Sequence, residues 1–215
     1  MFTFIKMLFI AIIFCLVGIG ISLVIKKGTN AVPTPPSSIV TISPTSNIKL
    51  IQTIDGKVQS ASGSAEKETK LHEKISLKYD DLVQSGDNIL TGNNSNLTVL
   101  FAGQSIISLS QKSIVGMINL LPDRILFSHN EGTTTYKSIN KKSLSIASLK
   151  TLIEVSGESE ISVNNEKEII TIKQIEGIAK VALLNKKNDT IVQTITKDQI
   201  ATIDNSGRTI DVLHD

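Results

Sequence analysis

Apolar residues are distributed in two different ways along this chain. Residues 7–25 form one uncharged, almost entirely apolar run, whereas from Ile48 onward the apolar stretches are short and repeatedly interrupted. As a helix with a rise of ~1.5 Å per residue, the first run would be ~28 Å long, close to the ~30 Å hydrocarbon core of a bilayer. The pattern predicts a single transmembrane helix over residues 7–25, preceded by a short cytoplasmic end of residues 1–6.

A cleaved signal peptide is the alternative interpretation of the apolar run, and cleavage would release a secreted domain. Lys6 provides a modest positive region, and Gly18-Ile19-Gly20 resembles a small-residue cleavage pattern. The run nevertheless stays mostly apolar through residues 21–25, where a signal peptide should become polar. We therefore expect a retained anchor that makes this a single-pass protein of the cell membrane.

Residues 26–47 differ from both flanking regions because they are rich in Pro, Ser and Thr, with four of the 5 prolines of the chain. Proline restricts the backbone and removes hydrogen-bond donors, so this segment should be extended and unpacked. Segments of this composition are typical of the outer side of a membrane. We expect a linker over residues 26–47 that carries an extracytoplasmic domain over residues 48–215.

The pattern of residues 48–215 predicts an all-β domain. Short runs rich in β-branched residues cover residues 96–101, 105–109, 169–172 and 190–195. Turn-forming residues separate such runs at residues 85–88, 91–94, 102–104, 156–157, 185–189 and 204–207. Strands at this spacing favour a β-solenoid-like or β-sandwich arrangement. The charged segment 66–74 is expected to be a loop, and Phe101 is expected in the core.

Composition excludes several kinds of function for this domain. The net charge of +2, with both signs interspersed, provides no electrostatic surface for nucleic acid. The single cysteine, Cys15, lies in the apolar run, so a disulfide framework and a thiolate metal site are excluded. The chain has no Trp and 2 Tyr, which argues against an aromatic sugar-binding groove.

Three segments together resemble the FecR-type domain family. Residues 85–115, SGDNILTGNNSNLTVLFAGQSIISLSQKSIV, are similar to the Gly-Asp, Thr-Gly and paired apolar strands at the centre of that family. Residues 153–163 and 175–204 are similar to its second signature and its closing segment. The resemblance implies an all-β fold in an extracytoplasmic setting, where the domain senses or binds a surface partner.

The sequence departs from the FecR-type pattern in ways that limit what the resemblance implies. Ala102 stands where the family has Asp, Glu158 where it has Thr, and Asp198-Gln199 where it has Gly-Gln. Well-studied members carry a cytoplasmic anti-sigma region before the membrane helix, and only residues 1–6 precede the apolar run here. The resemblance therefore does not imply control of a sigma factor.

The titratable residues do not form a recognisable catalytic or metal-binding motif. His72, His129 and His214 are far apart and are expected to be surface or turn residues. The pairs Glu158/Glu160 and Glu166/Glu168 are expected to be solvated strand faces. We predict no enzyme, no catalytic, cofactor or metal residues and no cofactor, and we expect an envelope protein or glycan as partner. The alternative is an envelope hydrolase using carboxylates among Asp55, Asp87, Glu154 and Glu176.

Overall fold

The computed structural model describes residues 52–140 and 142–214, which belong to the compact unit Lys49–Asp215. All regular secondary structure in these ranges consists of β-strands, so the all-β prediction is confirmed there. No helix among these residues has the length and apolar character needed to cross a membrane. The predicted transmembrane helix over residues 7–25 and the linker over residues 26–47 lie outside the described residues.

The described residues form fifteen strands. These are β1 (Gly56–Ser62), β2 (Ala65–Glu68), β3 (Lys74–Ser76), β4 (Leu82–Val83), β5 (Asn88–Thr91), β6 (Asn96–Phe101), β7 (Ser105–Leu109), β8 (Ile114–Leu121), β9 (Arg124–Ser138), β10 (Leu144–Ser148), β11 (Thr151–Glu166), β12 (Ile169–Leu184), β13 (Thr190–Thr196), β14 (Gln199–Asp204) and β15 (Thr209–His214). The predicted strands 96–101 and 105–109 coincide with β6 and β7.

All fifteen strands belong to one continuous open sheet, and three long strands divide it into two layers. The two halves of β9, β11 and β12 pair with different neighbours. Layer A has the order β13, β12, β11, β10, β9, β8, β5, β2, β3. Layer B has the order β15, β14, β12, β11, β9, β7, β6, β1, β4. Each long strand therefore passes from one layer to the other.

The long strands change layers where the backbone can bend. In β9 the change falls between Glu131, which pairs with β8, and Gly132, which pairs with β11. Gly132 has φ 80°, and a Cβ added there would lie 2.4 Å from the backbone oxygen of Lys112. Only glycine fits this conformation without strain. The prediction of a turn at residues 156–157 is wrong, because β11 continues through Gly157 instead of ending there.

Alternating side chains from both layers pack into one core. Phe101 of layer B is fully buried, as predicted, and its ring lies 5.3 Å from that of Phe127 in layer A. Tyr136 of layer B is also fully buried, with its ring 5.6 Å from Phe127. These contacts run from layer to layer, so burial of aromatic surface between the layers holds the sheet folded.

The loop expected over residues 66–74 is instead part of a hairpin. Strands β2 and β3 pair in register from Glu66 opposite Ser76 to Glu68 opposite Lys74. The segment lies at the edge of layer A, where charged side chains can remain partly in water while the backbone pairs. The Lys67 side chain is mostly buried instead, and its ammonium is satisfied because it donates to the carbonyl oxygen of Leu82 at 2.7 Å. The charges of this segment are thus compatible with a hairpin at the edge of the layer.

Candidate functional site

The four carboxylates considered for a hydrolase lie in two separate parts of the sheet. The side chain of Gln84 contacts Asp55 at 3.4 Å, and the backbone nitrogen of Gln84 donates to Asp87 at 2.9 Å. Glu154 and Glu176 are on β11 and β12, and at least two other strands lie between these and the strands β1 and β5, which follow Asp55 and Asp87 in the chain. The four side chains therefore do not converge on one cleft.

Local contacts account for the burial of Asp87. Asp87 is almost fully buried, and besides the Gln84 backbone its carboxylate faces the Lys67 ammonium at 3.8 Å. Glu154 lies opposite Lys180 and Glu176 opposite Glu160 across the β11–β12 ladder. In the described ranges no group of three or more His, Cys, Asp or Glu residues could hold a metal ion.

The structure corrects the prediction for His129 but leaves the other two histidines on the surface. His72 and His214 are exposed, and the Nδ1 of His72 lies 2.8 Å from the Oε1 of Glu68. His129 is fully buried, because it alternates with Ile125 and Phe127 on the inner face of β9. The prediction that His129 is a surface or turn residue is therefore wrong.

Hydrogen bonds satisfy both ring nitrogens of His129. Burial lowers the pKa of His129 to about 4, so the ring is neutral at pH 7. The Nε2–H can donate to the carbonyl oxygen of Gly132 at 2.9 Å, because that oxygen can only accept. Nδ1 then accepts from the Tyr136 hydroxyl at 2.9 Å, and burial raises the pKa of Tyr136. The two hydrogen bonds of His129 thus join layer A to Tyr136 in layer B and to Gly132 at the bend of β9.

A second set of buried polar side chains holds the same bend from the other side. The hydroxyl of Ser148 donates to the His129 carbonyl at 2.7 Å, and the Asn165 amide nitrogen donates to the Asn130 carbonyl at 2.7 Å. The Asn165 side chain is 1% exposed, and its Oδ1 has no partner among the described residues. This oxygen is a buried acceptor without a hydrogen-bond partner.

An open polar groove of about 740 Å³ lies above these buried side chains. Three segments form it: the β7–β8 turn at residues 110–112, the β9 bend at residues 130–133, and residues 164–167 at the end of β11 and the start of the β11–β12 turn. Its lining consists of Ser110, Gln111, Lys112, Asn130, Glu131, Gly132, Thr133, Asn164, Asn165, Glu166 and Lys167. We refer to this surface as the polar groove.

The lining of the polar groove suits recognition by hydrogen bonds. Amides and hydroxyls both donate and accept, and its two lysines and two glutamates balance in charge. The lining contains no aromatic ring on which a sugar could stack. Sequence reasoning missed this surface, because its three segments are separated by about twenty to thirty residues and only the strand register brings them together. The polar pair Asn164-Asn165 within an otherwise alternating strand was the available signal.

Comparisons with known proteins extend the description of the fold. No family model and no curated protein matches the chain. Two crystal structures, at 1.65 Å and 2.50 Å resolution, of a "putative anti-sigma factor" from Parabacteroides distasonis ATCC 8503 do match in structure. Each is 14% identical, has a TM-score of 0.51, and is matched over 60% of this chain and 59% of its own. The likeness is one of fold, over less than two thirds of the crystallised chain.

Proposed function

We propose that this chain is a membrane-anchored, FecR-like sensor or binding module that catalyses no reaction. In this proposal residues 7–25 form the anchor, residues 26–47 the linker, and residues 48–215 a domain outside the cytoplasm. The fold likeness to the two crystal structures titled "putative anti-sigma factor" is the observation that carries the proposal. It agrees with the resemblance of residues 85–115 to the FecR-type pattern.

The polar groove is the surface that supports partner binding best. Its amide and hydroxyl groups match the donors and acceptors of a polypeptide backbone or a glycan, the two partner classes expected at a cell envelope. Separation of the candidate carboxylates supports a binding role over hydrolysis.

Proximity crosslinking of the full chain in the cells that produce it tests the proposal. We expect envelope proteins or envelope glycan fragments to be recovered. The variant Asn130→Ala/Glu131→Ala, which removes two exposed side chains of the polar groove, should reduce that recovery. A matched control, Glu73→Ala/Lys78→Ala, removes two exposed side chains elsewhere.

Two results would contradict the proposal in different ways. Recovery of cytoplasmic proteins alone, such as a sigma factor, would overturn both the topology and the role. Equal recovery from the groove variant and from its control would leave the envelope setting in place and refute the polar groove as the binding surface.

A further inference from the structure

The two layers end unequally on one side of the sheet. In the described part of the chain, layer A has only β13 beyond β12, whereas layer B has both β14 and β15. The inner face of β15 therefore has no strand above it in layer A. Ile210 and Val212 lie on this face, since they pair with the fully buried Ile203 and Ala201, yet both remain only partly buried.

The edge of β13 is open on the same side. Its seven residues, Thr190–Thr196, pair with β12 and with no other strand of the described residues. Gln193 pairs with the fully buried Val181 and so faces inward, but it is exposed. An inward-facing side chain in contact with water marks a place where the layer is one strand short.

Natural sheets protect exposed edges with charges, proline or very short strands. Strand β13 has none of these, because its sequence TIVQTIT contains no charged residue and no proline. The other edges differ in this respect: β3 has three residues, β4 has two, and β15 includes Asp211. The unprotected edge thus coincides with the uncovered apolar face of β15.

We propose that β13 receives one extended segment of a partner protein as an added strand. Main-chain hydrogen bonds to the β13 edge would hold the segment, and its inward apolar side chains would cover Ile210 and Val212. Asp189 and Lys197 flank β13 at its two ends. An antiparallel segment fits best with an acidic residue opposite Lys197, apolar residues at alternate positions, and a basic residue opposite Asp189.

A second copy of this chain fits the edge poorly. If the β13 strands of two copies paired antiparallel, a twofold axis perpendicular to the sheet would relate the copies. Their A layers would then form one continuous sheet. Layer B of each copy extends one strand farther than layer A, so β15 of one copy would meet β14 and β15 of the other. A lone segment without an attached second layer avoids this collision.

A synthetic peptide provides a direct test of this surface with the full chain. The probe Glu-Thr-Val-Thr-Val-Thr-Val-Thr-Lys carries the proposed alternation and end charges, and its labelled form allows binding to be measured by fluorescence anisotropy. We expect binding together with slower hydrogen exchange of the β13 backbone amides. The same composition with broken alternation should bind more weakly.

Matched variants separate the proposed contact from non-specific adhesion. Val212→Lys places a charge on the inner face of β15 and should weaken peptide affinity by about tenfold. Leu213→Lys, on the opposite and exposed face of the same strand, should leave affinity unchanged. Gln193→Lys adds an inward charge at an exposed edge position, so it should weaken binding without disturbing the fold.

Three outcomes would refute the added-strand proposal. These are protection of strands other than β13, equal affinities for Val212→Lys and Leu213→Lys, and a dimer linked through β13 in place of a peptide complex. The surface is separate from the polar groove, and its test uses a peptide in solution. Failure here would therefore leave the proposed envelope role untouched, and failure of envelope crosslinking would leave this result standing.

Discussion

Acidification should destabilise the folded domain through His129. The ring is fully buried and has a pKa of about 4 when folded, whereas an unfolded histidine has a pKa of 6.5. Between these values the unfolded chain binds a proton that the folded chain does not. Stability should therefore rise with pH across this window and be lost as pH falls from 6.5 towards 4.

The expected magnitude follows from the two pKa values. At about pH 4.5 the unfolded ring is almost fully protonated and the folded ring mostly neutral. Linkage then gives a loss of about 2.5 kcal/mol in the free energy of unfolding relative to pH 7. Such a loss is a large share of the ~5–15 kcal/mol by which typical domains are stable.

Urea unfolding of the full chain at a series of pH values can measure this loss. Near-ultraviolet circular dichroism is a suitable signal, because Tyr136 is buried and the other tyrosine, Tyr79, is exposed. His129→Gln is the control, since glutamine can donate and accept but does not titrate. Subtracting its pH profile removes the contribution of all other groups. If wild type and variant lose the same stability on acidification, the assignment of His129 as a neutral buried ring is wrong.

Three further predictions address the bend, the core and the membrane anchor. Gly132→Ala should lower the free energy of unfolding by more than about 3 kcal/mol, and Gly103→Ala by only about 1 kcal/mol, in urea titrations. Both have positive φ, but a Cβ at Gly103 meets nothing within 4 Å; similar losses would refute the steric argument. Phe101→Ala should cost about 3–5 kcal/mol in the same assay, and a loss below 1 kcal/mol would contradict its burial. Mass spectrometry of the membrane fraction should find an uncleaved N-terminus; a mature protein beginning at Ile21 would exclude the anchor.

Short strands could be predicted from the sequence, whereas the long ones could not. Strands β6 and β7 are short apolar runs that contain β-branched residues and are followed by Gly or Ser turns, so local pattern is sufficient. Strands β9, β11 and β12 contain Gly132, Gly157 and Gly177, which locally have the same signature as a turn. Whether glycine ends a strand or bends it depends on the pairing of distant residues, and one sequence does not contain that information.

The polar groove and the burial of His129 were unpredictable for related reasons. The groove needs three distant segments to meet at one end of the sheet, and only the register of β7, β9 and β11 determines that they do. His129 is a polar residue, so the sequence does not indicate that it faces the core. Its direction becomes clear only when Phe127 and Tyr136 of the same strand are found to be buried. The absence of a catalytic motif, in contrast, was a local property of the sequence and needed no tertiary information.

The passage of three strands through both layers has a consequence for how this domain folds. Neither layer can be completed first, because β9, β11 and β12 contribute half of their length to each. Contacts between residues far apart in sequence must therefore form together. Such topologies fold on a timescale of roughly milliseconds to seconds. We expect the domain to unfold in one cooperative transition. Both layers should then lose their protection from proteases together, instead of one after the other.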